Sequence, residues 1–214
     1  MYYYLPKFNQ RTLQGDEAGH FLSTRVKEGD ELDVCDQKGS IGKIIIEKVD
    51  KKKKLIQYSL QSYEVLGKKP NEKILFQAIP DKQYLDKLVE LLPLADIDRL
   101  ILFESQYSPK YNINWERLKK ILIRSTEQCQ RLWQPEIELV DNKQLQKLLN
   151  ENSPLVLDCT GEYRENFIAK SIIVGPEGGW SEEEIEKFKN LNLGICKISE
   201  LVLPAWIAGY TYLT

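Results

Sequence analysis

From residue 73 onward, short apolar runs alternate with stretches of helical period, and few architectures accept that order. Residues 73–79, 99–103, 136–140, 155–158, 171–174 and 195–198 read as strands, and 83–92, 115–132, 144–149, 182–191 and 205–212 as helices. Leu85, Leu88, Val89 and Leu92 share one face of the first helix, and Leu118, Ile121, Leu122 and Ser125 form a stripe on the second. Strand and helix taken in turn predict an α/β fold. Its sheet is mostly parallel, covered by helices on both faces, with a ligand site at the carboxyl ends of the strands.

The amino-terminal third follows another pattern. Residues 1–70 carry no long helical period but three β-rich runs, 31–36, 42–49 and 54–65, parted by Gly, Asp and Lys turns. The polar stretch Gly67-Lys68-Lys69-Pro70-Asn71 marks the change, which divides the chain into a small β-domain, 1–68, and an α/β domain, 69–214. Charge follows the same division: residues 1–70 hold 13 Lys and Arg against 10 Asp and Glu, and the remainder 17 against 22. The basic domain is therefore the one expected to meet an anionic partner. Its densest run, the lysines 51–54, fits either a solvated hairpin turn or a phosphate clamp.

With 42% hydrophobic and 29% charged residues, the chain is neither disordered nor collagen-like. Its apolar runs stop at four or five residues, far short of the roughly 20 that cross a bilayer, so no membrane partner is expected. Met1-Tyr2-Tyr3-Tyr4-Leu5-Pro6 lacks the basic start and apolar segment of a secretory signal, and Cys35, Cys129, Cys159 and Cys196 form no C-x-x-C pair. Both features predict a cytoplasmic protein with reduced thiols. His20 is the sole histidine, which excludes a histidine-rich metal centre and demotes most hydrolase mechanisms.

The segment with the most chemistry in it runs from Ser171 to Glu184: a buried strand, then Gly175-Pro176-Glu177-Gly178-Gly179-Trp180, then a helix. Ser181 and Glu184 have the spacing of a capping box, and Glu182 to Glu184 put negative charge on the helix's first turn. The glycines let backbone approach a ligand closely, yet neither dinucleotide nor P-loop spacing is present. Crowded glutamates oppose a pyrophosphate, whereas a nucleoside with a cationic sulfonium, S-adenosylmethionine, suits the same turn. A tight strand-to-helix turn with no ligand is the competing reading.

This motif resembles the G-P-E-G-G-[FW]-[ST]-x-x-E signature of the RsmE family, the 16S rRNA (uracil-N3)-methyltransferases of the knotted SPOUT superfamily. Three further stretches agree in order. His20-Phe21-Leu22-Ser23-Thr24-Arg25-Val26-Lys27-Glu28-Gly29-Asp30 resembles the entry to the family's PUA-like β-barrel, Lys87-Leu88-Val89-Glu90-Leu91 its K-A-x-E-L-G helix, and Glu127-Gln128-Cys129-Gln130-Arg131 its E-Q-[SC]-x-R block. The resemblance implies a PUA-like β-barrel that binds RNA, followed by a SPOUT-type α/β trefoil-knot domain. It also implies S-adenosylmethionine as cofactor, ribosomal RNA or the small ribosomal subunit as substrate, homodimerisation, and no metal.

By the same resemblance the cofactor meets Asp158 after one strand, Val174, Gly175, Glu177, Gly178 and Gly179 after the next, and Ile198, Leu201, Val202 and Leu203 after the last. Arg131 is the candidate for stabilising a uracil anion or gripping a phosphate, against a surface pairing with Glu127 at i, i+4. Gln128 is the candidate for the base edge, against an ordinary helix-surface amide. Arg25 and Lys27 are the candidate RNA phosphate contacts. Glu177 either faces the sulfonium or holds its own turn through backbone N–H groups, and His20 is expected to pack within the β-domain. Trp115, Trp133 and Trp206 read as core or interface.

The chain also departs from the family pattern. Tyr2, Tyr3 and Tyr4 stand where arginines are usual, Leu92-Pro93 replaces G-V, and no arginine occurs in Glu104-Ser105-Gln106-Tyr107-Ser108. The carboxyl-terminal S-L-G-x-x-I-L-R-x-E-T-A segment is shortened, with Pro204 for its arginine and Trp206 for its glutamate. A non-catalytic RNA-binding or ribosome-associated protein that keeps the fold is therefore the alternative expectation.

Overall fold

The computed structural model describes residues 1–67, 72–163, 169–201 and 203–213. The chain forms two units: Met1–Lys69 with Thr126–Gln134, and Pro70–Ser125 with Pro135–Thr214. Residues 68–71 of the expected boundary stretch lie outside the described residues.

In the first unit, β1 (Tyr2–Tyr4), β2 (Thr12–Gln14), β3 (Glu31–Cys35), β4 (Ser40–Asp50) and β5 (Leu55–Val65) form one sheet in the order β1-β3-β4-β5-β2. β1 joins β3 in parallel and the other pairs are antiparallel. Period-two alternation turns Ile44, Ile46, Ile56 and Tyr58 onto a core with Leu5, Leu13, Phe21 and Val34, each at most 1% exposed. The pattern gives no helix in this third of the chain, yet α1 (Gly15–Ser23) is present. Its cap residue Gln14 makes no side-chain bond, so burial of Ala18 and Phe21 holds it rather than a local signal.

β4 carries a one-residue bulge at Glu47, where pairing passes from Ile46↔Tyr58 to Lys48↔Gln57. Plain alternation from Ile46 would send Lys48 inward. The bulge instead packs Val49 on the core and leaves Lys48 exposed. The lysines 51–54 form the exposed turn between β4 and β5.

The second unit holds a sheet of β6 (Ile74–Ala78), β7 (Arg99–Phe103), β8 (Glu136–Val140), β9 (Leu155–Tyr163), β10 (Ser171–Val174) and β11 (Ile195–Lys197). All pairs are parallel, in the order β11-β9-β10-β6-β7-β8. Helices α2 (Lys82–Leu91), α3 (Trp115–Gln128) and α6 (Ala205–Leu213) pack on one face, and α4 (Asn142–Asn152) and α5 (Glu182–Asn190) on the other. β6 is buried on both sides, with Leu75 toward the first set and Phe76 toward the second, which explains why it is apolar apart from Gln77.

Three elements differ from the sequence pattern. α4 is longer because an Asp141–Gln144 capping box starts it early. β9 extends to Tyr163 because its far half pairs with β11 through a register shift. α3 stops at Gln128, four residues short, because Gln130 takes a left-handed φ of 60°. Arg131 N–H then reaches Thr126 O and Gln130 N–H reaches Glu127 O, both at 3.1 Å, the Schellman pattern. Within the first unit this terminus meets β1: Gln130 Oε1 accepts from Tyr2 N–H, and Glu127 Oε1 accepts from Tyr4 N–H at 3.1 Å.

Candidate active site

Beside the middle of β9 and at the carboxyl ends of β10 and β11 the second unit opens a cavity of about 780 Å³, within the range of small-molecule and cofactor sites; Asp158, expected after its strand, lies inside β9 because that strand runs on to Tyr163. Residues 157–159, 174–180 and 196–201 line it, closed by Leu203, Pro204, Ala205 and Ala208 at the start of α6.

The turn after β10 is built to stay in one shape. Gln77, fully buried on β6, donates from Nε2 to Gly175 O at 3.0 Å and to Ala78 O at 3.1 Å. A Cβ on Gly175 would stand 3.1 Å from the Trp180 ring, so glycine here lets the indole fold back over the turn. Trp180 Nε1 donates to Leu157 O at 3.0 Å, tying the turn to β9, and the ring stacks on Phe103 and meets Phe188 edge-on. Gly179 has φ of 72°, the conformation glycine adopts at no steric cost. The Ser181–Glu184 capping box is complete, and Glu184 Oε1 also accepts Gln106 N–H at 3.0 Å, drawing in the segment after β7.

Charge lies at the rim. Glu177 accepts the backbone N–H of Asp81 through both carboxylate oxygens, at 3.1 and 3.2 Å, so it holds the turn before α2 rather than its own. Beside it Tyr111 donates to Pro80 O at 2.8 Å. Burial, with the carboxylates of Glu177, Asp81 and Asp86, pushes the Tyr111 hydroxyl up to about 12, so it stays a donor. Asp158 accepts from both the N–H and the hydroxyl of Thr160, and Lys197 pairs with Glu200 at 3.3 Å. Apolar walls (Leu157, Val174, Ile198, Leu203) with carboxylates at the rim fit a ligand that is flat and apolar at one end and cationic at the other, as an adenosine bearing a sulfonium is. Among the described residues no cluster of three or more His, Cys, Asp or Glu is placed to hold a metal.

Asp158, Val174, Gly175, Glu177, Gly178, Gly179, Ile198, Leu201 and Leu203 all line this one cavity, while Val202 lies outside the described residues. Gln128, Arg131, Arg25 and Lys27 belong to the first unit. Gln128 is exposed on the last turn of α3; Arg131 lies past the helix end, so its i, i+4 relation to Glu127 has no helical meaning. Glu127 Oε1 lies 2.8 Å from His20 Nε2, and the His20 ring packs edge-on to Tyr3 and Phe21. Trp115 is 42% exposed at the head of α3, so of its two readings, core or interface, the core one does not hold.

Sequence reasoning passed over Gln77, whose only signal is an amide inside an apolar strand, and Trp180, which sits in the motif itself. The two departures at the carboxyl-terminal segment have structural work. Pro204 O accepts the N–H groups of Ile207 and Ala208 at 2.9 and 3.0 Å at the start of α6, and Trp206 stacks on Tyr84 with ring centroids 5.7 Å apart.

A family model described as the RNA methyltransferase domain matches residues 67–213. The ribosomal RNA small subunit methyltransferase E of Helicobacter pylori strain 26695 is 31% identical over 199 residues, covering 88% of this chain and 86% of that protein. The chain belongs to the ribosomal RNA small subunit methyltransferase E family. Membership makes it an RNA methyltransferase. Solved structures agree in fold. A probable rRNA-methyltransferase from Porphyromonas gingivalis superposes with a TM-score of 0.82 at 25% identity, covering 97% of this chain and 92% of that one. A family member from Neisseria gonorrhoeae, bound to S-adenosyl methionine, gives a TM-score of 0.83 at 18% identity, covering 98% and 93%.

Proposed function

We propose that this family member transfers a methyl group from S-adenosylmethionine to N3 of a uridine in 16S rRNA. One observation carries the reading: the middle of β9 and the segments that follow β10 and β11 converge on a single cavity whose inner turn is the family's glycine motif. Leu157, Val174, Ile198 and Leu203 would hold the adenine, and Asp158 and Glu177 would set negative charge near the cationic end. When bound, the cofactor supplies an electrophilic methyl on a sulfonium.

The chain's own contribution is mainly placement. The Trp180–Leu157 and Glu184–Gln106 bonds fix the turn in advance, so little ordering remains when the reactants meet. Uracil N3 is a poor nucleophile while protonated, so a group must steady the anion left when the proton departs. Arg131 takes that role in this reading, Gln128 meets the base edge, and Arg25 and Lys27 meet phosphates. The reading also has the first unit acting as a PUA-like RNA-binding domain, the terminal segment threading a trefoil knot, and two copies pairing. The return of α6 onto β10 and α2, where Tyr210 donates to Leu88 O, supports the knotted course.

Calorimetry with S-adenosylmethionine tests the cofactor. Saturable binding is expected, and Gly178→Trp should abolish it, since even a Cβ there would stand 3.0 Å from Tyr107 Cβ. No heat at millimolar cofactor would leave the non-catalytic RNA-binding alternative. Mass spectrometry of ribosomal RNA from cells lacking the protein tests the product: one 3-methyluridine should disappear, and an unchanged level refutes the N3 assignment.

A further inference from the structure

The first unit carries a second concavity, of about 630 Å³, walled by the loop after α1 and by the β4–β5 turn. Four lysines line it, Lys27, Lys48, Lys51 and Lys52, against two carboxylates, Glu28 and Asp50. The walls are built rather than incidental. Gly29 N–H donates to Ile46 O at 2.8 Å and Ile46 N–H donates to Asp30 O at 3.0 Å, docking the loop along β4. The bulge at Glu47 turns Lys48 outward at the position where alternation would have buried it.

The acids of this surface are engaged by the fold. Glu28 Oε1 accepts Val49 N–H at 3.0 Å, Asp50 Oδ1 accepts Lys53 N–H at 3.0 Å, and Asp30 Oδ2 accepts Lys27 N–H at 2.7 Å. All four lysines are exposed, and none has an ion-pair partner among the described residues. Lys53 and Lys54 continue the charge along the turn, and Arg25 stands two residues before Lys27.

The geometry points to this concavity as a seat for the phosphate backbone of the RNA substrate, with Lys27, Lys48, Lys51 and Lys52 contacting successive phosphates. No aromatic ring lines it, so bases have nothing to stack on, and contacts made by ammonium groups to phosphate carry no sequence information. The site therefore supplies affinity and orientation while the choice of nucleotide is made elsewhere. The identity of the anion as ribosomal RNA rests on the methyltransferase reading above; the charge geometry does not.

The test uses the full chain, a 16S rRNA transcript as probe, and the variant Lys27→Gln/Lys48→Gln/Lys51→Gln/Lys52→Gln. Loss of the four phosphate contacts should weaken binding about 100-fold or more near 0.1 M salt and flatten the plot of log affinity against log salt by about 3 in slope. Lys51→Gln/Lys52→Gln, confined to the exposed turn, should give part of both effects, with the thermal midpoint and the heat of S-adenosylmethionine binding unchanged. Wild-type affinity and slope in the fourfold variant would overturn the proposal. So would equal loss in a control that neutralises Lys119, Lys143, Lys147 and Lys187 of the second unit, or vesicles of anionic lipid binding as tightly as the transcript. If the wild-type chain gives no heat with S-adenosylmethionine, the enzymatic reading fails separately, and the transcript measurement still decides the lysine site.

Discussion

Gly161→Ala tests whether the cavity depends on how closely two strands approach. A Cβ at Gly161 on β9 would lie 2.6 Å from Cys196 Cα and 2.7 Å from Cys196 N and C on β11. Carbon contacts are comfortable only from about 3.5 Å, so the strands must part by about 1 Å. Both partners at this point are backbone, so no side-chain rotation relieves the clash. β11 has three residues and, among the described residues, pairs with β9 alone, at Cys196↔Glu162 and Lys197↔Tyr163 beyond its register shift. Stretching one or two ladder bonds costs about 0.5–1.5 kcal/mol each, and overpacking adds about 1–3 kcal/mol, so a loss of about 2–4 kcal/mol is expected. Lys197 leads directly into the lining residues that follow β11, so cofactor affinity should fall along with stability. Urea unfolding and calorimetry on wild type and variant read the two effects. Stability within about 0.5 kcal/mol of wild type, with unchanged heat, would refute the argument, since that is the size of an ordinary surface substitution.

Ser181→Ala removes one half of the α5 capping box and should lower stability by about 1 kcal/mol in the same urea titration. Among the cysteines Cys159 is exposed, Cys129 half-buried, and Cys35 and Cys196 buried, so a maleimide should label Cys159 first. Because Cys159 lines the cavity, S-adenosylmethionine should slow that labelling, as timed mass spectrometry would show. Alkaline pH should destabilise the fold. Burial pushes the Cys35 thiol from 9.0 up to about 11 and the Tyr58 hydroxyl up to about 12, so above pH 9 the unfolded chain binds fewer protons and stability falls as pH rises. Urea midpoints between pH 8 and 11 follow the fall, and Cys35→Ala should flatten its first part.

The parallel sheet was legible because β6, β7 and β10 are short strands built on apolar runs of three or four residues, and because Ser181 and Glu184 announce the start of α5 in four residues. Other features were hidden for identifiable reasons. α1 lacks a cap and depends on Ala18 and Phe21 meeting strands distant in sequence. The stop of α3 falls on a glutamine in a conformation usually given to glycine, so no residue type signals it. The second half of β9 is a strand only because β11 lies beside it. In the cavity the glycine turn was readable as a motif, whereas the partner of Glu177, the N–H of Asp81, is 96 residues away, and Gln77 offers only an amide among apolar neighbours. Local chemistry marks a turn, but only the fold says which distant backbone it holds.

The end of α3 also has a bearing on self-association. β1 is the border strand of its sheet, and its odd-numbered side faces β3, as the 2.8 Å bond from Leu5 N–H to Cys35 O shows. The N–H groups of Tyr2 and Tyr4 face the other way and would offer a template to any extended chain that met them. Gln130 and Glu127 occupy both, so the border is shut by two side chains without lengthening the sheet by a strand. A helix terminus thereby does at this border the work that prolines or inward charges do in other proteins, leaving neither of these N–H groups open to an incoming strand.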